Sequence, residues 1–183
     1  MFLDRDGTLI EERFYPCHPD EIVLQPGVCE PLRALQHEGA DLVVVTNQSG
    51  LARGLFDDAA LEAMHSRLLA LLSAEDVHLD GIYVCPHHPE GKIAGLAIAC
   101  ACRKPEPGML HRASRELSLD LPASWMVGNT ESDVEAGLRA GSRTALVGAA
   151  AGVVSNANGL FAPDLQLAAT AETLVEIHRR LIR

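Results

Sequence analysis

Two acidic residues, Asp4 and Asp6, stand one residue apart in the stretch FLDRDGT near the start of the chain. Two carboxylates at the end of a strand can share a divalent cation, and one can attack a phosphorus atom while the other handles protons. Two solvated carboxylates in a turn are the simpler alternative for this stretch alone. The pair is therefore a candidate metal and phosphoryl-transfer site that needs support from the rest of the chain.

Three later stretches carry polar side chains that such a site requires. The run TNQSG from Thr46 offers hydroxyl, amide and backbone donors suited to a phosphate, although a helix cap is an alternative. Arg103 and Lys104 are adjacent cations that can neutralise phosphate oxygens or lie along the surface. Asp133, after the run GNTES, can support a metal or cap the helix that follows it.

A second cluster of reactive residue types lies in the stretch CPHHPEGKIAGLAIACAC, from Cys85 to Cys102, which holds three of the five cysteines and two histidines. Disulfides, a redox centre or a metal could each use such a cluster. A redox role is disfavoured because the chain contains no CxxC motif. The other two cysteines, Cys17 and Cys29, lie far away in the sequence and are interpreted as ordinary thiols.

Composition narrows the class of protein. The 183 residues fit one domain that buries its core without disulfides. A net charge of −10 without a long basic run argues against a nucleic-acid partner. No apolar stretch is long enough to span a membrane and no signal peptide is visible, so the cytosol is expected, where clustered cysteines more often bind metal. With 4% aromatic residues, a monomer is expected.

The elements that must position these residues follow from the pattern of apolar residues. Short apolar runs predict buried parallel strands at 41–47, 81–86, 125–129 and 143–148, with a shorter one at 1–4. Helical patterns cover 28–38, 58–74, 108–117, 132–140 and 171–182. This alternation predicts an α/β fold with a parallel sheet, and 148–159 is interpreted as a flexible surface connection within one domain spanning 1–183. Ligands bind at the carboxyl ends of such strands, where the polar stretches lie.

The order of these motifs at four successive strand ends resembles the haloacid dehalogenase (HAD) superfamily of phosphatases, from Leu3 to about Gly148. Longer stretches are similar to heptose 1,7-bisphosphate phosphatases, whose near relatives are histidinol-phosphate phosphatases. These stretches are FLDRDGT, TNQSGLARG, CPHHPEG, CACRKPEPGM and MVGN. The resemblance implies a Rossmann-like three-layer α/β/α sandwich with a central parallel sheet, a minimal cap and an inserted zinc-binding loop at 85–102.

The resemblance also implies a hydrolase that forms an aspartyl phosphate with the help of magnesium. Asp4 would be the nucleophile, Asp6 the acid and then the base, and Thr46 and Lys104 would complete the catalytic set. The implied magnesium ligands are Asp4, Asp6, Asn129 and Asp133. The implied contacts to the sugar-phosphate substrate are Glu12, Arg13, Tyr15, Thr46, Asn47, Gln48, Ser49, Arg53, Arg103 and Lys104. A solvated turn at 12–15 and a local salt bridge of Arg53 are the alternatives.

A structural zinc is the second implied metal, held by Cys85, His87, Cys100 and Cys102. Four protein ligands leave no open position, so this zinc would brace the loop that leads to Arg103. His88 is an alternative imidazole ligand. Twelve residues separate His87 from Cys100, and this loop length resembles the heptose enzymes. Removal of the 7-phosphate in lipopolysaccharide core biosynthesis is therefore favoured over hydrolysis of histidinol phosphate.

One residue departs from the pattern of the superfamily. Asn129 stands where a metal-binding Asp is usual, and Thr130 replaces a residue that is often Lys. An amide oxygen still binds magnesium, but the site loses one negative charge, so weaker metal binding is expected. Three explanations compete: a natural variant that works at higher magnesium, a substitution introduced to trap a complex, or a sugar-phosphate-binding protein without turnover. The intact Asp4 and Asp6 favour an enzyme, and the short first strand suggests a chain that begins inside the natural protein.

Overall fold

The computed structural model describes residues 1–148, 154–156, 159–161 and 163–182. Its strands are β1 (Phe2–Leu3), β2 (Val43–Asn47), β3 (Gly81–Cys85), β4 (Trp125–Gly128), β5 (Arg143–Val147), β6 (Val154–Asn156), β7 (Gly159–Phe161) and β8 (Leu165–Leu167). Six of them form one parallel sheet in the order β3-β2-β1-β4-β5-β8. The strands that carry the candidate site, β1, β2 and β4, therefore lie side by side in its centre.

Helices cover both faces of this sheet. They are α1 (Cys29–His37), α2 (Ser49–Arg53), α3 (Asp58–Ser73), α4 (Gly108–Leu117), α5 (Glu131–Ala140) and α6 (Thr170–Leu181). Successive strand residues point to opposite faces. Thus Val44 of β2 packs in the core shared with α1, α3 and α6, whereas its neighbours Val43 and Val45 pack in the core shared with α4 and α5. The predicted α/β/α layering is confirmed, and the continuous apolar runs of the strands reflect burial on both faces.

The predicted elements are present with ends that differ by a few residues, and five others among the described residues were not predicted, one of them a short 3₁₀ helix at Pro19–Glu21. Helix α2 has only five residues, too few for a helical pattern, and β8 (LQL) is too short for an apolar run. Strand β6 lies in the predicted surface connection 148–159 and pairs antiparallel with β7, which begins at the last residue of that connection. Residues 149–153 and 157–158 lie outside the described residues.

Among the described helices, none combines the length and the apolar character needed to cross a membrane.

Candidate active site

Asp4 lies at the carboxyl end of β1 and is nearly buried. Its backbone nitrogen donates to the carbonyl of Val127 over 2.9 Å, which continues the pairing of β1 with β4 and fixes the direction of the side chain. Arg5 N donates to Asp4 Oδ1 over 2.8 Å. Burial first, and then the negative charge of Asp133, raise the pKa of Asp4 to about 7. An added cation would favour the charged carboxylate that a nucleophile requires.

Lys104 is buried between two carboxylates. Its Nζ lies 2.8 Å from Asp4 Oδ1 and 2.5 Å from Asp133 Oδ1, and it donates to the carbonyl of Val45 over 2.8 Å. Burial lowers the pKa of Lys104, but the two carboxylates raise it more strongly, and the net shift is upward. Lys104 is therefore a fixed positive charge at the centre of the site.

Asp6 lies two residues after Asp4, and its carboxylate accepts hydrogen bonds from two side chains. Arg5 approaches with Nε and Nη2, each 3.0 Å from one carboxylate oxygen, and Gln48 Nε2 donates to Asp6 Oδ2 over 2.8 Å. The loop turns at Gly7, whose φ of +74° favours glycine and whose Cα packs against the amide of Asn129. This close contact joins the first motif of the sequence to the last.

The polar strand ends enclose a cavity of about 260 Å³. Its lining residues are Asp4, Asp6, Glu12, Thr46, Asn47, Arg103, Lys104, Asn129, Thr130, Ser132 and Asp133. A neighbouring cavity of about 240 Å³ shares Asp6 and Asn47 with it. The remaining lining of this second cavity is Arg13, Phe14, Tyr15, Pro16, Gln48 and Ser49. Two adjoining compartments that meet at Asp6 can hold a phosphate and the group attached to it.

Asn129 fits a magnesium ligand on the evidence of its own contacts. Its Oδ1 is buried and accepts no hydrogen bond from the described residues, although a buried polar oxygen usually has a partner. Asp4 and Asp133 line the same cavity. Asp133 also caps α5, because its Oδ2 accepts from Thr130 N over 3.0 Å and from Thr130 Oγ1 over 2.7 Å. Oxygen donors around an unpaired amide oxygen match the preference of Mg²⁺.

The ligand atoms of Cys85, His87, Cys100 and Cys102 all lie within 4.8 Å of one another. The Sγ–Sγ distances are 3.2 to 3.5 Å, and His87 Nδ1 lies 3.4 Å from Cys102 Sγ and 3.8 Å from Cys85 Sγ. A tetrahedral zinc with Zn–S bonds of 2.3 Å would separate its sulfur ligands by about 3.8 Å. The cluster therefore fits a zinc ion after small side-chain movements.

The electrostatics of these thiols also fit a metal. Burial raises the pKa of Cys85 and of Cys102. Burial is the largest single influence on the pKa of Cys100 and acts to raise it, but the hydrogen bonds from Cys102, Cys85 and the backbone of Arg103 together make the net shift downward. Without a cation, the thiolate form is therefore disfavoured at Cys85 and Cys102. A bound Zn²⁺ would favour deprotonation of all three thiols.

The two neighbouring histidines face different partners. His87 points into the cysteine cluster. His88 Nε2 instead lies 3.1 Å from Arg53 Nη2, and His88 Nδ1 accepts from Glu90 N over 3.1 Å. Between the two candidates, the geometry brings only His87 to the other metal-ligand atoms.

The expected substrate contacts fall into two groups. Arg53 lines neither cavity and contacts His88 and Glu90, the latter at 3.7 Å. Each of the other expected contacts lines at least one of the two cavities, and Asn47 lines both. Arg103 Nη1 donates to the carbonyl of His87 over 3.3 Å, which connects the cysteine cluster directly to the phosphate cavity.

Arg5 was not predicted to be a site residue, although its position between two aspartates in the stretch DRD was a possible signal. Its side chain is buried and its guanidinium faces Asp6. His65 of α3 lies nearby: burial, and then the charge of Arg5, lower the pKa of His65 to about 4, so this histidine is neutral at physiological pH. Arg5 is therefore the positive charge behind Asp6.

Such a pair of aspartates, with a lysine and a metal-ligand position at adjacent strand ends, defines the class of HAD-like hydrolases. A HAD-hydrolase-like family model matches residues 101–175. The D-glycero-β-D-manno-heptose-1,7-bisphosphate 7-phosphatase of Escherichia coli K12 is 45% identical over 140 residues, which cover 76% of this chain and 73% of that protein. The corresponding Yersinia pestis enzyme is 44% identical, with coverage of 76% and 74%.

Solved structures agree with this result. The D,D-heptose 1,7-bisphosphate phosphatase of B. bronchiseptica, complexed with magnesium and phosphate, has a TM-score of 0.82 and 32% identity, and the match covers 98% of both chains. A protein of Mesorhizobium loti described as a HAD-like phosphatase has a TM-score of 0.84 and 37% identity, covering 97% of this chain and 83% of that one. The chain belongs to the HAD-like hydrolases, and within them to the family of D-glycero-β-D-manno-heptose-1,7-bisphosphate 7-phosphatases.

Proposed function

We propose that this protein is a magnesium-dependent phosphatase that removes the 7-phosphate of D-glycero-D-manno-heptose 1,7-bisphosphate. The observation that carries the proposal is the position of Lys104, whose Nζ joins Asp4 and Asp133 at the floor of the cavity. A fixed cation beside a carboxylate nucleophile suits the transfer of an anionic phosphoryl group. The relatives with the same activity in their names support the choice of substrate.

In the first step, a carboxylate oxygen of Asp4 forms a bond to the phosphorus, and the bond from phosphorus to the sugar oxygen breaks. Asp6 gives a proton to that leaving oxygen. Thr46 and Lys104 line the cavity beside both aspartates and bind the oxygens of the transferred group. The product of this step is an aspartyl phosphate on Asp4 and a free sugar hydroxyl.

In the second step, Asp6 removes a proton from a water molecule, and the resulting oxygen attacks the phosphorus. The bond between Asp4 and phosphorus breaks, so inorganic phosphate leaves and both aspartates return to their starting states. Asp4, the backbone carbonyl of Asp6, Asn129 and Asp133 would hold a magnesium ion, which would supply positive charge that offsets the repulsion between nucleophile and substrate.

The rest of the substrate occupies the second cavity in this proposal. It begins at Asp6, where the leaving oxygen must lie, and Arg13, Tyr15 and Ser49 line it. Tyr15 adopts a left-handed backbone conformation with φ of 52°, and its hydroxyl lies 3.4 Å from Ser49 Oγ. Strain of this kind in a non-glycine residue is common in binding loops, which supports a role for Tyr15 in sugar recognition.

The zinc site is structural in this proposal. Cys85, His87, Cys100 and Cys102 would supply all four ligands of the zinc ion, which would brace the inserted loop 85–102 of a single-domain chain and orient Arg103 towards the substrate. Three free thiols of this kind require a reducing compartment to stay available for zinc, which supports the cytosol as the location.

The test is phosphate release from heptose 1,7-bisphosphate and from histidinol phosphate across a magnesium titration. We expect turnover of the heptose substrate, with release of one phosphate and retention of the 1-phosphate. Preference for histidinol phosphate would overturn the substrate assignment. Magnesium-dependent binding of the heptose substrate without release would identify a sugar-phosphate-binding protein, as the replacement at Asn129 permits.

A further inference from the structure

The carboxylate of Asp6 accepts hydrogen bonds from two buried side chains, those of Arg5 and Gln48. Arg5 approaches side-on, with Nε 3.0 Å from Oδ2 and Nη2 3.0 Å from Oδ1, while Gln48 Nε2 adds a bond of 2.8 Å to Oδ2. A carboxylate held by a bidentate guanidinium and a third donor has little rotational freedom. The direction in which Asp6 presents its oxygens to the cavity is therefore set by Arg5 and Gln48.

Gln48 has no side-chain donor left for a substrate phosphate. A side-chain amide nitrogen carries two hydrogens. One is directed at Asp6 Oδ2, and Nε2 also lies 2.9 Å from Thr46 Oγ1, so both are engaged inside the protein. Gln48 is also almost fully buried, with 4% of its surface exposed. These internal hydrogen bonds therefore compete with the substrate-binding role that the sequence suggested for Gln48.

Arg5 is equally committed to Asp6. Its side chain is buried, and among the described residues it forms an ion pair with Asp6 and with no other carboxylate. The nearby imidazole of His65 is neutral, so it neither competes for Asp6 nor adds charge. A buried arginine is costly unless it is paired, and the ion pair with Asp6 stabilises this one in place.

We propose that Arg5 and Gln48 are positioning residues that orient Asp6 for proton transfer to the leaving oxygen and then from the attacking water. This inference rests on the proposed function, in which Asp6 is the acid and base. A general acid must lie within hydrogen-bonding reach of the leaving oxygen, and a misplacement of about 1 Å costs on the order of 10²-fold in rate. Gln48 Nε2 also bonds to Thr46 Oγ1 over 2.9 Å, but the main chain of Thr46 is held by the pairing of β2 with β3, so loss of this bond should leave the phosphate site in place.

The test compares two substrates that differ in their need for a proton donor. A sugar phosphate leaves as a poor alkoxide that requires protonation, whereas p-nitrophenyl phosphate leaves as a stable phenolate. In Gln48→Met, we expect kcat/KM to fall about 10- to 100-fold for heptose 1,7-bisphosphate and less than about 5-fold for p-nitrophenyl phosphate. Arg5→Lys, which keeps the charge but loses the two-pronged contact, should show the same asymmetry.

Inhibition by inorganic phosphate gives an independent readout. A positioning role predicts an unchanged inhibition constant in Gln48→Met, because the phosphate site is intact. A role in binding phosphate predicts weaker inhibition and an equal loss with both substrates, which would overturn the inference. Gln36→Met is the matched control, since Gln36 is partly exposed and its side chain bonds to the main chain of His78, away from both cavities. The Gln36→Met variant should match the wild type in kcat/KM for both substrates and in inhibition by phosphate.

A double-mutant cycle isolates the connection to Asp6. If Gln48 acts through Asp6, adding Gln48→Met to Asp6→Asn should change kcat/KM for p-nitrophenyl phosphate by less than about 2-fold. If Gln48→Met lowers kcat/KM as much in Asp6→Asn as it does in the wild type, Gln48 acts independently of Asp6. The inference would then fail while the proposed function stands. A wild-type protein that releases phosphate from neither substrate would overturn the proposed function itself, and the inference with it.

Discussion

The side-chain amide of Asn47 and the main chain of Lys104 exchange two hydrogen bonds of 3.1 Å each. Asn47 Nδ2 donates to the carbonyl of Lys104, and Lys104 N donates to Asn47 Oδ1. Asn47 ends β2, whereas Lys104 follows the loop that carries the cysteine cluster. This pair therefore fixes the main chain from which Lys104 Nζ reaches Asp4, and it uses both ends of an amide that the sequence suggested for substrate binding.

Replacing Asn47 should thus displace Lys104. We expect Asn47→Ala to destabilise the protein by about 1–3 kcal/mol, since two partly buried bonds are lost. We also expect kcat/KM to fall by about 10²-fold, because the lysine moves away from the reacting group. Thermal unfolding and phosphate-release kinetics measure the two effects.

Gln36→Ala is the matched control for this substitution. Gln36 exchanges the same pair of bonds with the main chain of His78, at 2.8 and 3.0 Å, far along the chain from the site. The Gln36→Ala variant should lose stability without losing activity. Equal activity losses in both variants would indicate a general effect of destabilisation rather than the placement of Lys104.

Zinc content gives a second prediction. We expect one zinc per chain by elemental analysis, lost in Cys102→Ser and retained in Cys29→Ser, because Cys29 lies outside the four-residue cluster. Loss of the ion should release the loop 85–102 and lower activity through Arg103, whose Nη1 bonds to the carbonyl of His87.

The two histidines provide the sharper comparison. His87→Ala should lose zinc and unfold at a lower temperature, whereas His88→Ala should keep the ion, because His88 contacts Arg53 and Glu90 N. Zinc loss in His88→Ala alone would reverse the ligand assignment. An undiminished zinc content in all of these variants would rule out this cluster as the binding site.

The layered fold was predictable because its strands are buried on both faces and its helices show a regular apolar pattern. The motifs at the strand ends were predictable because β1, β2 and β4 are neighbours, so their polar ends meet at one edge. Sequence order alone could not show that Gln48 turns towards Asp6, since 42 positions separate them. Nor could it show that Arg53 turns away to His88. Side-chain directions of this kind depend on packing rather than on local pattern.

Asn129 carries the third prediction. Its Oδ1 is buried without a hydrogen-bond partner among the described residues, and its amide packs against Gly7. Because Asp and Asn have nearly the same shape, Asn129→Asp should fit and should add a negative charge beside a bound cation. We expect the half-saturating magnesium concentration to fall about 10-fold, with an increase in activity at low magnesium.

The remote variant Gln36→Glu adds the same charge elsewhere and should leave the magnesium response unchanged. A half-saturating magnesium concentration that does not fall in Asn129→Asp would show that residue 129 does not contact the ion. Lack of turnover in both the wild type and Asn129→Asp, with intact substrate binding, would instead support a sugar-phosphate-binding protein.

The last prediction concerns pH and the carboxyl of Asp4. Its folded-state pKa is raised to about 7, from 3.8 for a free side chain, first by burial and then by Asp133. Between about pH 4 and pH 7 the metal-free folded protein therefore keeps a proton that the unfolded chain has released. The metal-free protein should lose stability from this group as pH rises through that range, and the loss should stop above pH 7.

Magnesium should reverse this dependence of stability on pH, because Mg²⁺ must displace the proton from Asp4 below pH 7 and binds a free carboxylate above pH 7. The half-saturating magnesium concentration should rise about tenfold for each pH unit below 7 and level off above it. Thermal unfolding with and without magnesium between pH 5 and 8.5 measures this shift, and Asp4→Asn, which carries no proton to displace, is its control. A magnesium affinity that does not vary with pH in the wild type would show that Asp4 is already ionised without the metal.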